Sequence, residues 1–302
     1  MKILIPDGIS KEGAKLLIEA GHELNQTKFT PEELLAAIPE YDAIIVRSAT
    51  KVTKDVIDTG AKLKVIARGG VGLDNIDVAY AKSKGIPVLN TPGASAISVA
   101  ELAVGHMFAV SRFLHESSGE MRQGKWPKKE YAKGIELYNK TLGVLGFGSI
   151  GKEVARRGIG LGMKVIAFDP LYAPMRFDVE ITSKEDVIRR ADFLTLHLPL
   201  DKQAGPTIGA AEFAMMKDGV VLINCARGGV VDEAALLDAL NSGKVYAAGI
   251  DVFVNEPATE AQQALIAHPR VSATPHIGAQ TVEAQDRVSI EIAEKVIAGL
   301  AG

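Results

Sequence analysis

Gly146-Phe147-Gly148-Ser149-Ile150-Gly151 admits few folds. It follows the apolar run Leu142–Leu145 and opens a helical stretch through Lys152, Val154 and Arg156. A second apolar run, Lys164–Phe168, then ends at Asp169. In such a strand–turn–helix–strand unit the first glycine permits the tight turn. The second lets a pyrophosphate approach the backbone, and the third lets the helix pack on the strand. The helix N-terminus offers free N–H groups and a partial positive charge to that pyrophosphate. Asp169 would accept hydrogen bonds from adenosine ribose hydroxyls, and its charge repels a 2′-phosphate. NAD is therefore the expected cofactor, with Gly146, Gly148, Ser149, Ile150, Gly151 and Asp169 as binding residues. A second glycine turn, Gly70-Val71-Gly72, has Asn75 where a third glycine would stand. It reads as a turn whose exposed amides hold a carboxylate.

Apolar runs alternate with helical stretches through the rest of the chain, the pattern of a parallel α/β fold. The first third holds Lys2–Ile5, Ala43–Arg47, Lys64–Ala67 and Pro87–Leu89, with a weaker run at Glu23–Gln26. Thr30 before Pro31 reads as an N-cap with proline at the first helical position. From Leu142 the runs lengthen, adding Phe193–Leu196, Val220–Ile223, Val245–Ile250 and Val271–Ala273. Continuous apolar strands of this kind are buried on both faces. With 302 residues, two doubly wound parallel-sheet domains are expected. Ser95–Phe113 is apolar on most of its surface, which suggests burial between domains or subunits, and it leads from one block to the other. Ala284, Val288, Ile292, Val296 and Leu300 mark an amphipathic closing helix that returns to the first block. The expected domains are 1–94 with 279–302, and 95–278. Gly119–Lys140 is polar and reads as an exposed excursion.

Charge and cysteine usage narrow the function classes. Lys+Arg is 34 against Asp+Glu 37, without the basic excess of a nucleic-acid binder. The ten uncharged residues between Glu101 and Arg112 are too few to span a bilayer. Three apolar residues before Pro6 and Asp7 do not make an export signal. Cys225 is the only cysteine, which suits a reducing compartment. A cytoplasmic protein with no membrane or nucleic-acid partner and no metal is expected.

Three polar clusters follow strands of the second block: Asn224–Gly229, Asp251–Pro257 and Thr274–Gly278. Ligands of open parallel sheets bind beyond the C-terminal strand ends, so all three face the dinucleotide side. Hydride transfer from an alcohol also releases a proton, and histidine suits that proton near neutral pH. His276 is the candidate acid/base and Glu256 its supporting carboxylate. Arg227 would grip a substrate carboxylate with its two-pronged guanidinium. Singly, each has a plainer reading: a surface ion pair, a turn residue before Pro257, a helix cap. Together, downstream of a dinucleotide turn, they favour catalysis. His197, in Leu196-His197-Leu198-Pro199, also ends a strand but has no acidic neighbour in sequence. It reads as lining the cofactor side with Leu198 and Pro199. Cys225 reads as a small packed residue whose backbone, with that of Ala226, touches the cofactor.

Taken together these segments resemble the D-isomer-specific 2-hydroxyacid dehydrogenase family through nearly the whole chain. Arg47-Ser48-Ala49-Thr50 and Gly69–Asn75 carry the likeness in the first block. The glycine turn with Asp169, the Arg227 cluster, Asn255-Glu256-Pro257 and Thr274–Gly278 carry it in the second. The resemblance implies a flavodoxin-like substrate domain, a Rossmann NAD-binding domain, a cleft between them and a homodimer formed through the NAD-binding domain. It implies substrate orientation by Arg227, support by Glu256 and acid/base work by His276. It places Asp251 near the nicotinamide carboxamide, with Gly278 on the cofactor side, and makes Gly70 and Val71 the carboxylate cradle. Arg47-Ser48-Ala49-Thr50-Lys51-Val52-Thr53 and Asn90-Thr91-Pro92 are most similar to members that oxidise D-3-phosphoglycerate to 3-phosphohydroxypyruvate in serine biosynthesis. Arg47 would then meet the phosphate, with Lys128 or Lys129 as weaker candidates, and Ser48 is a further substrate-binding candidate. A chain closing at Gly302 is expected to lack the regulatory domain of longer members, and with it feedback by serine. The alternatives are a glyoxylate, hydroxypyruvate or other D-2-hydroxyacid dehydrogenase and, from a different class, an NAD-sensing corepressor-like binding protein.

Overall fold

A computed structural model describes residues 1–171, 178–201 and 203–301. Gly302, the expected last residue of the first domain, lies outside the described residues. The chain divides into two compact units, Met1–Ala96 with Ala279–Gly302, and Ile97–Gly278.

The first unit is built on a parallel five-stranded sheet. Its strands are β1 (Lys2–Leu4), β2 (Glu23–Asn25), β3 (Ala43–Val46), β4 (Val65–Arg68) and β5 (Val88–Asn90), in the order β2-β1-β3-β4-β5. This is the flavodoxin-like order, with its switch point between β1 and β3. Alternate residues feed opposite faces, as the strand period of two demands. Leu4, Ile44, Val46 and Ile66 pack with Leu34, Val56 and Ala81 on one side. Ile3, Ile5, Ala43, Ile45, Val65 and Ala67 pack with Leu17, Ile292 and Val296 on the other. The helix Val282–Ala301 buries the expected stripe of Ala284, Val288, Ile292, Val296 and Leu300. It lies close to the helix Lys11–Glu19: a Cβ on Gly13 would stand 2.6 Å from the Ser289 carbonyl oxygen. The helix Pro31–Ala37 opens with a complete capping box between Thr30 and Glu33.

The second unit carries a parallel seven-stranded sheet. Its strands are β6 (Thr141–Leu145), β7 (Lys164–Phe168), β8 (Glu180–Ile181), β9 (Phe193–Leu196), β10 (Val220–Asn224), β11 (Val245–Ile250) and β12 (Val271–Ala273). The order β12-β11-β10-β9-β6-β7-β8 is the doubly wound dinucleotide-binding order, extended by one strand at the β12 edge. Its switch point lies between β6 and β9. Leu145, Leu196, Leu222 and Ile250 face one core, and Leu142, Val144, Val221 and Ile223 the other. The helix Ala96–Arg112 sets Val99, Ala100, Ala103, Met107 and Val110 into that second core.

The sequence reading has no strand at β8, which is only two residues long. Part of the polar excursion is helical, at Leu114–Arg122, and that helix buries no residue. Trp126 in the excursion is 78% exposed, whereas Leu137 near its end is buried. Among the described residues no single helix is long and apolar enough to cross a membrane.

Candidate active site

In the second unit the dinucleotide turn forms at the switch point. Gly146 N–H donates to Phe168 O at 2.9 Å, and His197 N–H to Leu145 O at 2.7 Å. Gly146 has φ 94°, and a Cβ there would lie 2.5 Å from the His197 carbonyl carbon. A Cβ on Gly151 would lie 2.0 Å from Gly146 O, so the helix Ser149–Gly160 starts against the turn's own backbone. A Cβ on Gly148 would meet nothing within 4 Å, which leaves the helix start open to a ligand. Asp169 lies beside the turn and accepts from Phe147 N–H at 2.7 Å and Leu171 N–H at 2.8 Å. Each of its oxygens keeps a lone pair for a ribose hydroxyl.

The ends of β9 and β10 carry the next candidates. His197 Nε2 lies 2.8 Å from Thr195 Oγ1, while its Nδ1 is buried without a partner among the described residues. Burial pushes its pKa down to about 3, so the ring is neutral at physiological pH. Leu198 is half-buried and Pro199 exposed. Cys225 is buried in the core, where desolvation raises its thiol pKa well above the ordinary value. Its side chain is therefore no nucleophile. Both backbone polar groups of Ala226 are engaged, with Asn224 Oδ1 and with the Arg227 guanidinium.

Glu256 and His276 meet after β11 and β12. His276 Nδ1 lies 2.6 Å from Glu256 Oε2, and Glu256 Oε1 accepts from Phe253 N–H at 3.1 Å. The hydrogen bond that His276 donates to Glu256 raises the His276 pKa, outweighing burial and the nearby Arg227 charge. Burial pushes the Glu256 carboxyl up, but its bond to His276 and the charges of His276 and Arg227 leave it below the ordinary value. The two side chains remain 47% and 38% exposed, open enough to meet a ligand. Arg227 is close enough to bias both groups. Its loop lies directly on the Glu256 loop: a Cβ on Gly228 would stand 1.8 Å from Phe253 O. The structure thus brings together three residues that are far apart in sequence.

Asp251, 1% exposed, braces the histidine loop from below. Its Oδ1 accepts from Thr274 Oγ1 at 2.6 Å and from Ile277 N–H at 2.8 Å, and its Oδ2 accepts from Gly278 N–H at 2.8 Å. Gly278 O in turn accepts from Ser98 Oγ at 2.6 Å. Gly278 is therefore engaged at both backbone polar groups. A second brace holds the Glu256 loop. Glu233 accepts from Val254 N–H at 2.7 Å and from the buried Gln262 Nε2 at 3.0 Å. Sequence reasoning missed both braces, because each joins residues from separate segments of the chain.

The first unit presents Arg47, Ser48, Gly70 and Val71 beyond the C-terminal ends of β3 and β4. Asp7 accepts from Arg47 N–H at 2.7 Å, Thr50 N–H at 3.1 Å and Thr50 Oγ1 at 2.7 Å. Asn75 Nδ2 donates to Arg47 O at 2.9 Å and Thr50 O at 2.6 Å. The Arg47 guanidinium makes no hydrogen bond among the described residues, and burial lowers its pKa. Ser48 is exposed. In the glycine turn the carbonyls are tied back: Val71 O accepts from Asn90 Nδ2 at 2.6 Å, Gly70 O from Thr91 N–H at 3.0 Å, and Gly72 O from Arg68. Among the described residues the Gly70 and Val71 N–H groups have no partner, which suits an anion-binding nest. Gly70 has φ 155°, which a side chain would resist. The sequence reading assigned neither Asp7 nor Asn75 a role in holding the Arg47 loop.

Residues 104–278, more than half of the chain, match the profile described as "D-isomer specific 2-hydroxyacid dehydrogenase, NAD binding domain". The chain belongs to that family. It is similar to the hydroxypyruvate reductase of Thermotoga maritima, 50% identical over 98% of this chain and 97% of the relative. It is similar also to the D-3-phosphoglycerate dehydrogenase of Methanocaldococcus jannaschii, 45% identical over 98% of this chain but only 57% of that longer protein. Among solved structures, the D-lactate dehydrogenase of Aquifex aeolicus complexed with NAD and lactic acid superposes with a TM-score of 0.83. It is 30% identical, over 100% of this chain and 96% of its own. This D-2-hydroxyacid dehydrogenase is therefore an oxidoreductase that uses NAD. Its glycine turn fits that cofactor: open space over Gly148 at the helix start, and Asp169 at the neighbouring strand end.

Proposed function

We propose that the chain oxidises D-3-phosphoglycerate to 3-phosphohydroxypyruvate, with His276 as acid/base, Glu256 as its support and Arg227 on the substrate carboxylate. The 2.6 Å contact between His276 Nδ1 and Glu256 Oε2 carries this chemistry. With Nδ1–H donated to Glu256, the free lone pair of neutral His276 is on Nε2. That nitrogen takes the hydroxyl proton while Glu256 stabilises the resulting imidazolium. Arg227 holds the carboxylate and draws electron density from the adjacent carbon–oxygen bond. Bound at the glycine turn, NAD would supply the acceptor for the hydride that leaves the substrate carbon. In the reverse direction protonated His276 returns the proton to the carbonyl oxygen. Gly146, Gly148, Ser149, Ile150 and Gly151 would cradle the pyrophosphate, and Asp169 the ribose. His197, Leu198, Pro199, Cys225, Ala226, Asp251 and Gly278 would line the rest of the cofactor site, the last two chiefly by shaping it.

The phosphate reading is supported by Arg47, half-buried with its guanidinium donors uncommitted. Gly70 and Val71 would bind a carboxylate through their amides, with Ser48 nearby in sequence. The reading places the reaction in serine biosynthesis, in the cytoplasm. A homodimer through the second unit is supported by exposed apolar side chains there, Phe108, Leu114, Trp126 and Tyr138 among them. A second reading, a hydroxypyruvate or glyoxylate reductase, is favoured by the full-length match to the Thermotoga maritima hydroxypyruvate reductase. A fluorimetric panel of keto acids with NADH separates the two. The proposal expects the highest kcat/KM for 3-phosphohydroxypyruvate. A higher value for hydroxypyruvate or glyoxylate would establish the second reading in its place.

A further inference from the structure

Beneath the histidine loop of the second unit runs a polar chain, buried at His106 and Asp251, that the reaction scheme does not use. His106, on the helix Ala96–Arg112, is 2% exposed. Its Nδ1 lies 3.0 Å from Ser272 Oγ and its Nε2 3.1 Å from Thr274 Oγ1. Thr274 Oγ1 lies 2.6 Å from Asp251 Oδ1. A carboxylate only accepts, so the Thr274 hydroxyl proton is committed to Asp251. The Thr274 oxygen is then the acceptor for His106, whose proton must sit on Nε2. Nδ1 is left to accept from Ser272. All the donors therefore point one way, toward Asp251, an arrangement in which each bond polarises the next. The packing admits this chain at one place. A Cβ on Gly249 would stand 2.5 Å from His106 Cβ, so glycine in β11 lets the helix come close enough for the imidazole to reach both hydroxyls of the β12 edge.

Asp251 passes the constraint on. It holds Ile277 N–H and Gly278 N–H through its carboxylate, and its backbone oxygen accepts from His276 N–H at 2.8 Å. His276 itself has φ 53°, a left-handed conformation that a non-glycine residue keeps only when its surroundings impose it.

We propose that His106 is a positioning residue for the reaction: through Thr274 and Asp251 it holds the His276 backbone in place and so keeps the imidazole on Glu256. This rests on the reading of His276 as the acid/base. Burial lowers the His106 pKa against the pull of Asp251, in keeping with the neutral tautomer the network requires. The charged groups facing His276 are Glu256, Asp251 and Arg227, and the charged group facing His106 is Asp251.

The test compares His106→Leu and Thr274→Val with the conservative His106→Gln and Thr274→Ser. Each is assayed for kcat, KM and its pH profile in keto-acid reduction, for NADH affinity and for thermal melting. A small misplacement of a reacting group costs up to about 100-fold. The Leu and Val variants should lose about tenfold or more in kcat, with KM and NADH affinity within about twofold. Their reduction rate should fall off at lower pH than in the wild type, because His276 loosened from Glu256 loses its main stabiliser. The Gln and Ser variants should recover most of the rate. Wild-type kcat and pH profile in a folded His106→Leu or Thr274→Val enzyme overturn the proposal. So does a rate loss that Gln and Ser repeat in full. If His106→Leu does not fold, Thr274→Val decides. His276→Ala, run alongside, separates the two failures. A near wild-type rate there removes the acid/base reading and this proposal with it. An inactive His276→Ala beside an unimpaired Thr274→Val removes this proposal alone.

Discussion

At the scale of single residues, the site is a balance of charges around His276. Glu256 raises its pKa through a hydrogen bond, and Arg227 opposes that from the neighbouring loop. The sign follows directly. With His276 as the proposed acid/base, reduction needs it protonated, so its rate should fall as pH rises through the raised pKa; oxidation needs the neutral ring and should gain over the same range. Glu256→Gln removes the carboxylate charge while keeping a hydrogen-bonding side chain of similar shape. Both profiles should then move to lower pH, and the maximal rates should fall about 10-fold or more, since the imidazolium loses its counter-charge. Profiles measured from pH 5 to 10 check this; limbs that do not move would mean that Glu256 does not set the His276 pKa. The residues for this pair were legible because each follows an apolar strand and the residue types suit the chemistry. The braces were not. Asp7 meets Arg47 across 40 residues and His106 meets Thr274 across 168, so nothing in the local pattern marks them.

At the scale of elements, backbone proximity shapes the glycine turn proposed to hold the cofactor. The glycine turn works because β6, its helix and the end of β9 leave no room for side chains at Gly146 and Gly151. Gly151→Ala would force the helix start away from the Gly146 carbonyl, and overpacking of this kind costs roughly 1–3 kcal/mol. The expected outcome is a lower melting temperature together with NADH binding weakened at least about tenfold, since the helix N-terminus moves with the turn. Fluorescence titration and a thermal melt check both; unchanged values would show that the turn tolerates a side chain. The central strands were legible because nearly all their residues are apolar, the mark of burial on both faces. The strand β8 has only Glu180 and Ile181, too short for any period. The helix Leu114–Arg122 has no buried face, so no apolar stripe announced it.

At the scale of the whole molecule, the chain carries two α/β units, each with a complete sheet and its own two-faced core. The fold class followed from the alternation of strands and helices, while the substrate did not, because both readings use the same acid/base pair. Under the proposed function substrate choice falls to Arg47, which is held by its backbone and leaves its guanidinium uncommitted. Arg47→Ala should cost a phosphorylated keto acid roughly 1.5–3 kcal/mol, one charge-assisted contact, and hydroxypyruvate much less. The ratio of kcat/KM values for the two substrates reads this directly. An equal loss on both would place Arg47 on a feature they share, the carboxylate, and would favour the unphosphorylated substrate.

The most direct measurement is the turnover of His276→Ala with NADH and 3-phosphohydroxypyruvate or hydroxypyruvate, set beside its NADH affinity. Loss of the acid/base should lower kcat by about 10²–10⁴ while NADH still binds as in the wild type. A His276→Ala enzyme that turns over near the wild-type rate would contradict the account at its centre.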